Sequence, residues 1–273
     1  MSNKKYRELR LNGQLLSRGM IMTRESLRPV HCVIVRLLII GVLVAAGGGA
    51  AQAEVESGIA ITAKVIRYDT ELLAGEVKIP VIAGVGDVQL ERQLNDRWQR
   101  EIMSFVEEIR EGAETAQEEL GEETRHWLPF QVYVDFHVAY LDERFVSLPI
   151  AYYCYTGGAH GMSSQVSTNI DLAAGRDLNL EDLFVPGYDF TTVIASEVRR
   201  QRAANADHYF DESVAETDIL PDHHFYLTSE GIVVYFDLYE IAPYSTGIPE
   251  FTIPYERLRQ GLKPEFQALT KAE

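Results

Sequence analysis

A switch of hydrophobic period, from two to about 3.6 and back to two, limits what this chain can become. Ile59, Ile61, Ala63 and Val65 alternate with Ala60, Thr62, Lys64 and Ile66, and Glu76 to Ile82 forms a second short apolar run before Gly84 and Gly86. From Asp87 the spacing changes. Leu90, Leu94, Trp98, Ile102, Phe105, Val106, Ile109 and Ala113 fall on one stripe, with Glu91, Arg92, Asp96, Arg100, Glu107, Glu108 and Glu111 opposite. The pattern predicts an amphipathic helix ending near Gly121, whose apolar stripe needs a sheet to cover. After Pro129 the period returns to two. Phe130, Val132, Val134, Phe136, Val138 and Tyr140 share one face, and Gln131, Tyr133, Asp135 and His137 the other, as in a half-buried antiparallel strand.

Asp142-Glu143 then turns the chain into a strand over Arg144 to Tyr155, and Gln165 to Leu172 reads as the next, closed by Ala174-Gly175. Asn179 can cap a helical turn over Leu180 to Phe184, with Asp182 at the third position. Phe190 to Ala204 has helical spacing, with Val193, Ile194 and Val198 inward and Arg199, Arg200 and Arg202 where the helix dipole favours cations. His224 to Thr228 and Ile232 to Leu238 flank Ser229-Glu230-Gly231 as a hairpin. Glu250 to Ile253 adds a strand, and Pro254 leads into a terminal helix. Strands and helices come in clusters, so the expected class is α+β: an antiparallel sheet packed against a long helix and a second helix, rather than a parallel βαβ fold.

Charge divides the chain. Of its 25 Lys and Arg and 41 Asp and Glu, eight basic and two acidic residues precede Glu54, so residues 54–273 carry 17 against 39, or −22. That excess of acid argues against nucleic acid as a partner, because neutralising phosphates needs a basic face. The first 53 residues have the order of a secretory signal: a basic start, the apolar run Leu37 to Ala46, then Ala51-Gln52-Ala53. Residues 1–53 are expected to be a signal peptide, or else an uncleaved anchor that contacts the membrane through residues 37–53. Residues 54–273 are expected to be a single domain outside the cytoplasm, periplasmic or secreted, with an N-terminal half over 57–155 and a C-terminal half over 156–262. Cys32 precedes the apolar run, which leaves Cys154 as the one cysteine beyond it, in the place of a buried small hydrophobe.

No metal, cofactor or catalytic pattern stands out. The histidines lack HExxH, HxH or CxxC spacing, and no GxSxG is present. Asp222-His223-His224 opens a predicted strand, where neighbouring side chains point to opposite faces. Two stretches carry more. Tyr152 to Gly161 joins an aromatic strand to a glycine turn that holds His160, and glycines there permit positive φ and close backbone approach. Tyr239 to Phe251 is a loop of aromatics stiffened by Pro243 and Pro249, which loses little entropy on binding.

Three motifs, YxYTGGAHG (Tyr153 to Gly161), NxDLxxGxxLxLxDLF (Asn169 to Phe184) and FYLTxxGIxxYFxxYEIAPYxxGIPEFxIPY (Phe225 to Tyr255), follow the long helix. With it they resemble the extracytoplasmic domain of the RsiV anti-sigma factors, a lysozyme receptor family. A similar domain of unknown function precedes the catalytic part of PdaC-type peptidoglycan deacetylases. The resemblance covers nearly all of residues 57 to 262. It implies a non-enzymatic binding domain whose contact surface is the proline-aromatic loop, with Glu240, Pro243, Tyr244 and Glu250, and the glycine turn adds Tyr155, Gly157, Gly158 and His160 as expected contact residues through its close backbone approach. The implied partner is lysozyme or another cationic envelope protein, or peptidoglycan fragments. The alternatives are a membrane-anchored anti-sigma factor that acts as a lysozyme receptor, and a cell-wall hydrolase or deacetylase accessory protein. Only Lys4 to Arg10 offers anything like a sigma-binding segment, and no deacetylase catalytic domain follows.

Overall fold

A computed structural model describes residues 58–119, 127–211, 218–267 and 269, all within the compact unit Glu54–Glu273. The apolar run at residues 37–46 lies outside them. Among the described residues no helix is long and apolar enough to cross a membrane.

The class is α+β. Strands β1 (Ala60–Asp69), β2 (Leu73–Ala83), β3 (Phe130–Phe136), β5 (Phe145–Tyr155), β6 (Met162–Asp171) and β7 (Arg176–Asp177) lie in that order in one sheet, with β4 (Tyr140–Leu141) paired to β5. Helix α1 (Val88–Glu119) connects β2 to β3. It buries Trp98 and Ile102 completely against Val77, Ile79, Val132, Val134, Val146 and Leu148. The Trp98 indole N–H donates to Thr168 Oγ1 at 3.2 Å, so its burial leaves no donor stranded. Helix α2 (Phe190–Ala204) has the bounds its spacing predicts, and Asp189 caps it by accepting from the Thr192 N–H. A second sheet in the order β10-β9-β8 (Glu250–Pro254, Gly231–Tyr235, Phe225–Leu227) shares the second core with α2 and the one-turn helix α3 (Tyr255–Leu258).

Four local expectations change. β2 and β3 run parallel, in register Leu73↔Phe130 to Val77↔Val134, while β3 and β5 are antiparallel, so the large sheet is mixed and β2-α1-β3 is a βαβ crossover. Helix α1 carries the chain back to the end from which β2 set out, which forces the parallel pairing. β3 stops at Phe136, and Val138 is exposed, because Tyr140 and Leu141 leave its line to pair with Ser147 and Val146. The helix after Pro254 is a single turn. Arg202 faces inward from the end of α2, where it donates to the Phe210 carbonyl at 2.9 Å and lies over the Tyr209 ring.

The long strand β5 serves both cores. Val146, Leu148, Ile150 and Ile170 face α1, whereas Phe145 joins the second core. Between the sheets sits a satisfied polar link. Ser147 Oγ donates to Asn169 Oδ1 (2.6 Å) and accepts from the Leu227 N–H (2.7 Å), and Asn169 Nδ2 donates to the Phe225 carbonyl (2.8 Å). Both side chains are buried.

Candidate functional site

Past that link, the face of β5 and β6 turned away from α1 is uncovered. Register and alternation place Gln131, Tyr133 and Asp135 of β3 there, beside Ala151, Tyr153 and Tyr155 of β5 and Ser163 and Gln165 of β6. Tyr133 and Tyr153 lie 6.0 Å apart, and Tyr133 is 45% exposed. Burial raises the Tyr153 phenol above its ordinary value, with Tyr244 adding to the effect. Two ion pairs, Lys78 to Asp135 at 2.7 Å and Arg67 to Glu76 at 2.8 Å, continue the surface toward β1.

The glycine turn and the proline-aromatic loop meet at this face. The His160 ring stacks on the Tyr244 ring, with centroids 4.0 Å apart and planes 24° from parallel. Nδ1 of His160 lies 2.8 Å from the Gly161 carbonyl and Nε2 3.3 Å from the Tyr239 hydroxyl. Tyr239 also leans toward Tyr244, with centroids 5.9 Å apart. Pro243 starts the single 3₁₀ turn Tyr244–Thr246, which Thr246 anchors by donating its hydroxyl proton to the His208 carbonyl at 2.8 Å. Gly157 has φ +108, and a Cβ there would stand 2.6 Å from the Trp127 ring. Gly158 has φ +91, and its carbonyl accepts from the Tyr155 hydroxyl at 2.9 Å.

The predicted contact residues therefore separate by role. His160, Pro243 and Tyr244 form one patch, to which Tyr155, Gly157 and Gly158 supply the supporting turn. Glu250 lies along the same face, accepting from Gln165 Nε2 (2.8 Å) and from the Tyr226 hydroxyl (3.1 Å). The Glu240 carboxylate turns back into its own loop and accepts from the Asp237 N–H at 2.7 Å. Tyr239, Tyr133 and Tyr153 belong to the patch as well; Tyr153 and Tyr239 lie within the two stretches that the sequence marks, though not among the expected contact residues, and Tyr133 lies outside them. For Tyr133 and Tyr153 the outward alternation of β3 and β5 was the available signal. For Tyr239 the signal was its place in the aromatic loop, while its position beside His160 depends on a backbone φ of 66°.

Elsewhere, burial raises the Cys154 thiol above its ordinary value, which favours the thiol over the nucleophilic thiolate. Among the described residues no three His, Cys, Asp or Glu side chains are grouped to hold a metal ion.

Comparison with known proteins agrees with this architecture. The family model "Deacetylase PdaC" matches residues 66–163, and "Protein of unknown function (DUF3298)" matches residues 181–256. The chain is 25% identical to the anti-sigma-V factor RsiV of Bacillus subtilis over 204 residues, which is 71% of this chain and 67% of that protein. It is 23% identical to the peptidoglycan-N-acetylmuramic acid deacetylase PdaC of the same species over 137 residues, 49% of this chain but 29% of the deacetylase. A DUF3298-family crystal structure from Bacteroides fragilis superposes with a TM-score of 0.63 at 20% identity, covering 80% of this chain and 99% of that one. Another from Pseudomonas aeruginosa PAO1 has a TM-score of 0.51 at 24% identity, covering 76% and 94%. These two likenesses establish the shared fold, and the sequence matches add that this chain carries the domain associated with RsiV and PdaC.

Proposed function

We propose that residues 54–273 act outside the cytoplasm as a non-catalytic binding domain, that the partner is a cationic protein with lysozyme as first candidate, and that the patch around Tyr244 is the contact. The observation that carries this reading is the stack of His160 on Tyr244 beside an uncovered, tyrosine-bearing sheet face. Aromatic rings held by a short turn and a proline lose little freedom when a partner covers them, the usual character of an interface hot spot. The charge of −22 on this region supports a basic partner, since long-range attraction speeds encounter more than it sets final affinity. Attraction of that kind is screened beyond about 8 Å at physiological ionic strength, so specificity has to come from the rings.

Surface plasmon resonance against lysozyme at two salt concentrations separates the two contributions. Added salt should mainly slow association. Tyr244→Ala should mainly speed dissociation, by about tenfold or more if the ring is a hot spot. Absence of saturable binding at low salt removes lysozyme as the ligand, and binding unchanged by Tyr244→Ala in a folded variant removes the patch.

The match to PdaC supports a second reading, an accessory domain that presents cell-wall glycan to a deacetylase. Saturable binding of peptidoglycan fragments in place of lysozyme would favour it.

A further inference from the structure

On the opposite side of the large sheet, α1 and the β6–β7 turn enclose a cavity of about 290 Å³. Its chemistry has two parts. Leu90 and Leu94 of α1 and Ile170 of β6, all buried, contribute apolar walls. Arg97, Arg100 and Arg176 line the same space with Asp177 as its one acidic residue, in a domain where acids outnumber bases by more than two to one.

These cations are only partly neutralised. Both oxygens of Asp177 accept from one nitrogen of Arg97, Nη1, at 2.8 and 2.7 Å. Arg97 Nη2 is buried and has no hydrogen-bond partner. A buried guanidinium nitrogen without an acceptor is costly, and it leaves Arg97 with bonding capacity that its ion pair does not use. Arg176 pairs with Asp182 at 3.0 Å through Nη1. Arg100 is exposed on α1 and makes no ion pair among the described residues. Glu101 beside them is pushed above its ordinary value, chiefly by burial.

We propose that this cavity binds a small aliphatic carboxylate, its carboxylate held by the arginines and its short apolar body laid against Leu90, Leu94 and Ile170. Guanidinium forks match a carboxylate bidentately. The cavity has about the volume at which small-molecule sites begin. The apolar wall distinguishes this ligand from inorganic phosphate, which has nothing to place there. The inference is independent of the aromatic patch and of any partner bound there.

Isothermal titration of the full chain with N-acetyl-alanine, N-acetyl-alaninamide and inorganic phosphate tests it. Saturable binding of the acid, with none of the neutral amide and weaker or no binding of phosphate, is the expected result. Arg100→Gln and Arg176→Gln should each weaken the acid roughly tenfold or more, the usual size of a lost charged hydrogen bond. Arg100 is exposed and makes no ion pair among the described residues, so its variant is expected to keep the fold, and a matching thermal melt checks this. The proposal is overturned if acid and amide bind alike, if phosphate binds in preference, if the acid does not bind, or if Arg100→Gln and Arg176→Gln leave its affinity unchanged.

Discussion

The imidazole of His160 lies flat against the ring of Tyr244 at 4.0 Å, although one belongs to the turn after β5 and the other to the loop before β10. This contact joins the two motifs and fixes the geometry of the patch. Stacked aromatic pairs are worth about 0.5–1.5 kcal/mol beyond the area they bury. A double-mutant cycle of His160→Ala and Tyr244→Ala, read by urea unfolding, should give a coupling energy in that range. Strict additivity of the two variants would show that the rings touch without stabilising each other.

Tyr239 holds its hydroxyl near His160 from a left-handed backbone, φ 66°. That conformation costs a residue with a side chain about 1–2 kcal/mol. The ring is 46% exposed, so little packing is lost on its removal. Tyr239→Gly is expected to raise stability by about 1 kcal/mol and to weaken partner binding. A loss of stability would mean that the ring's contacts outweigh the backbone strain.

Ser147 holds the two sheets together. Replacing it by Ala strands the Leu227 N–H and one Asn169 oxygen in the interior, a cost of about 1–3 kcal/mol. Because β5 contributes to both cores and Asn169 of β6 bonds to the second sheet, the region 57–262 should unfold as one cooperative unit in wild type and variant alike. Calorimetry checks this through equal calorimetric and van't Hoff enthalpies; two resolved transitions would count against it.

His223 sets an acid limit on stability. Its ring packs edge-on against Phe236 at 4.8 Å, and Nε2 is buried without a partner. Burial, aided by His224, lowers its pKa to about 4 against the pull of Asp222 and Asp237. Between about pH 6.5 and 4 the unfolded chain takes up a proton that the folded one refuses, so stability falls as pH drops through that window. The full loss attributable to this group is on the order of 3 kcal/mol. Glu197, held at about 2 mainly by its hydrogen bond from Arg200, adds its own loss only below the ordinary carboxylate range. His223→Leu should therefore flatten the stability profile between pH 6.5 and 4.5 relative to wild type. Parallel profiles would exclude His223 as the cause.

Much of this molecule is legible residue by residue. The stripe from Leu90 to Ala113 determines helix α1, and the spacing from Phe190 determines α2. Alternation from Phe130 already sends Val132 and Val134 inward and Tyr133 outward, because a strand has only two faces. What sequence could not decide is how segments far apart in the chain meet. The parallel pairing of β2 with β3 follows from where α1 returns the chain, and local periodicity carries no information about direction. Ser147 and Asn169 look like ordinary polar residues until β8 crosses above them and turns them into the link between two sheets. Arg202 belongs on a helix end by its position, yet packing draws it inside. His160 and Tyr244 each stand in a recognisable motif, but their stack, and the place of Tyr239 beside it, exist only once both cores have closed on β5.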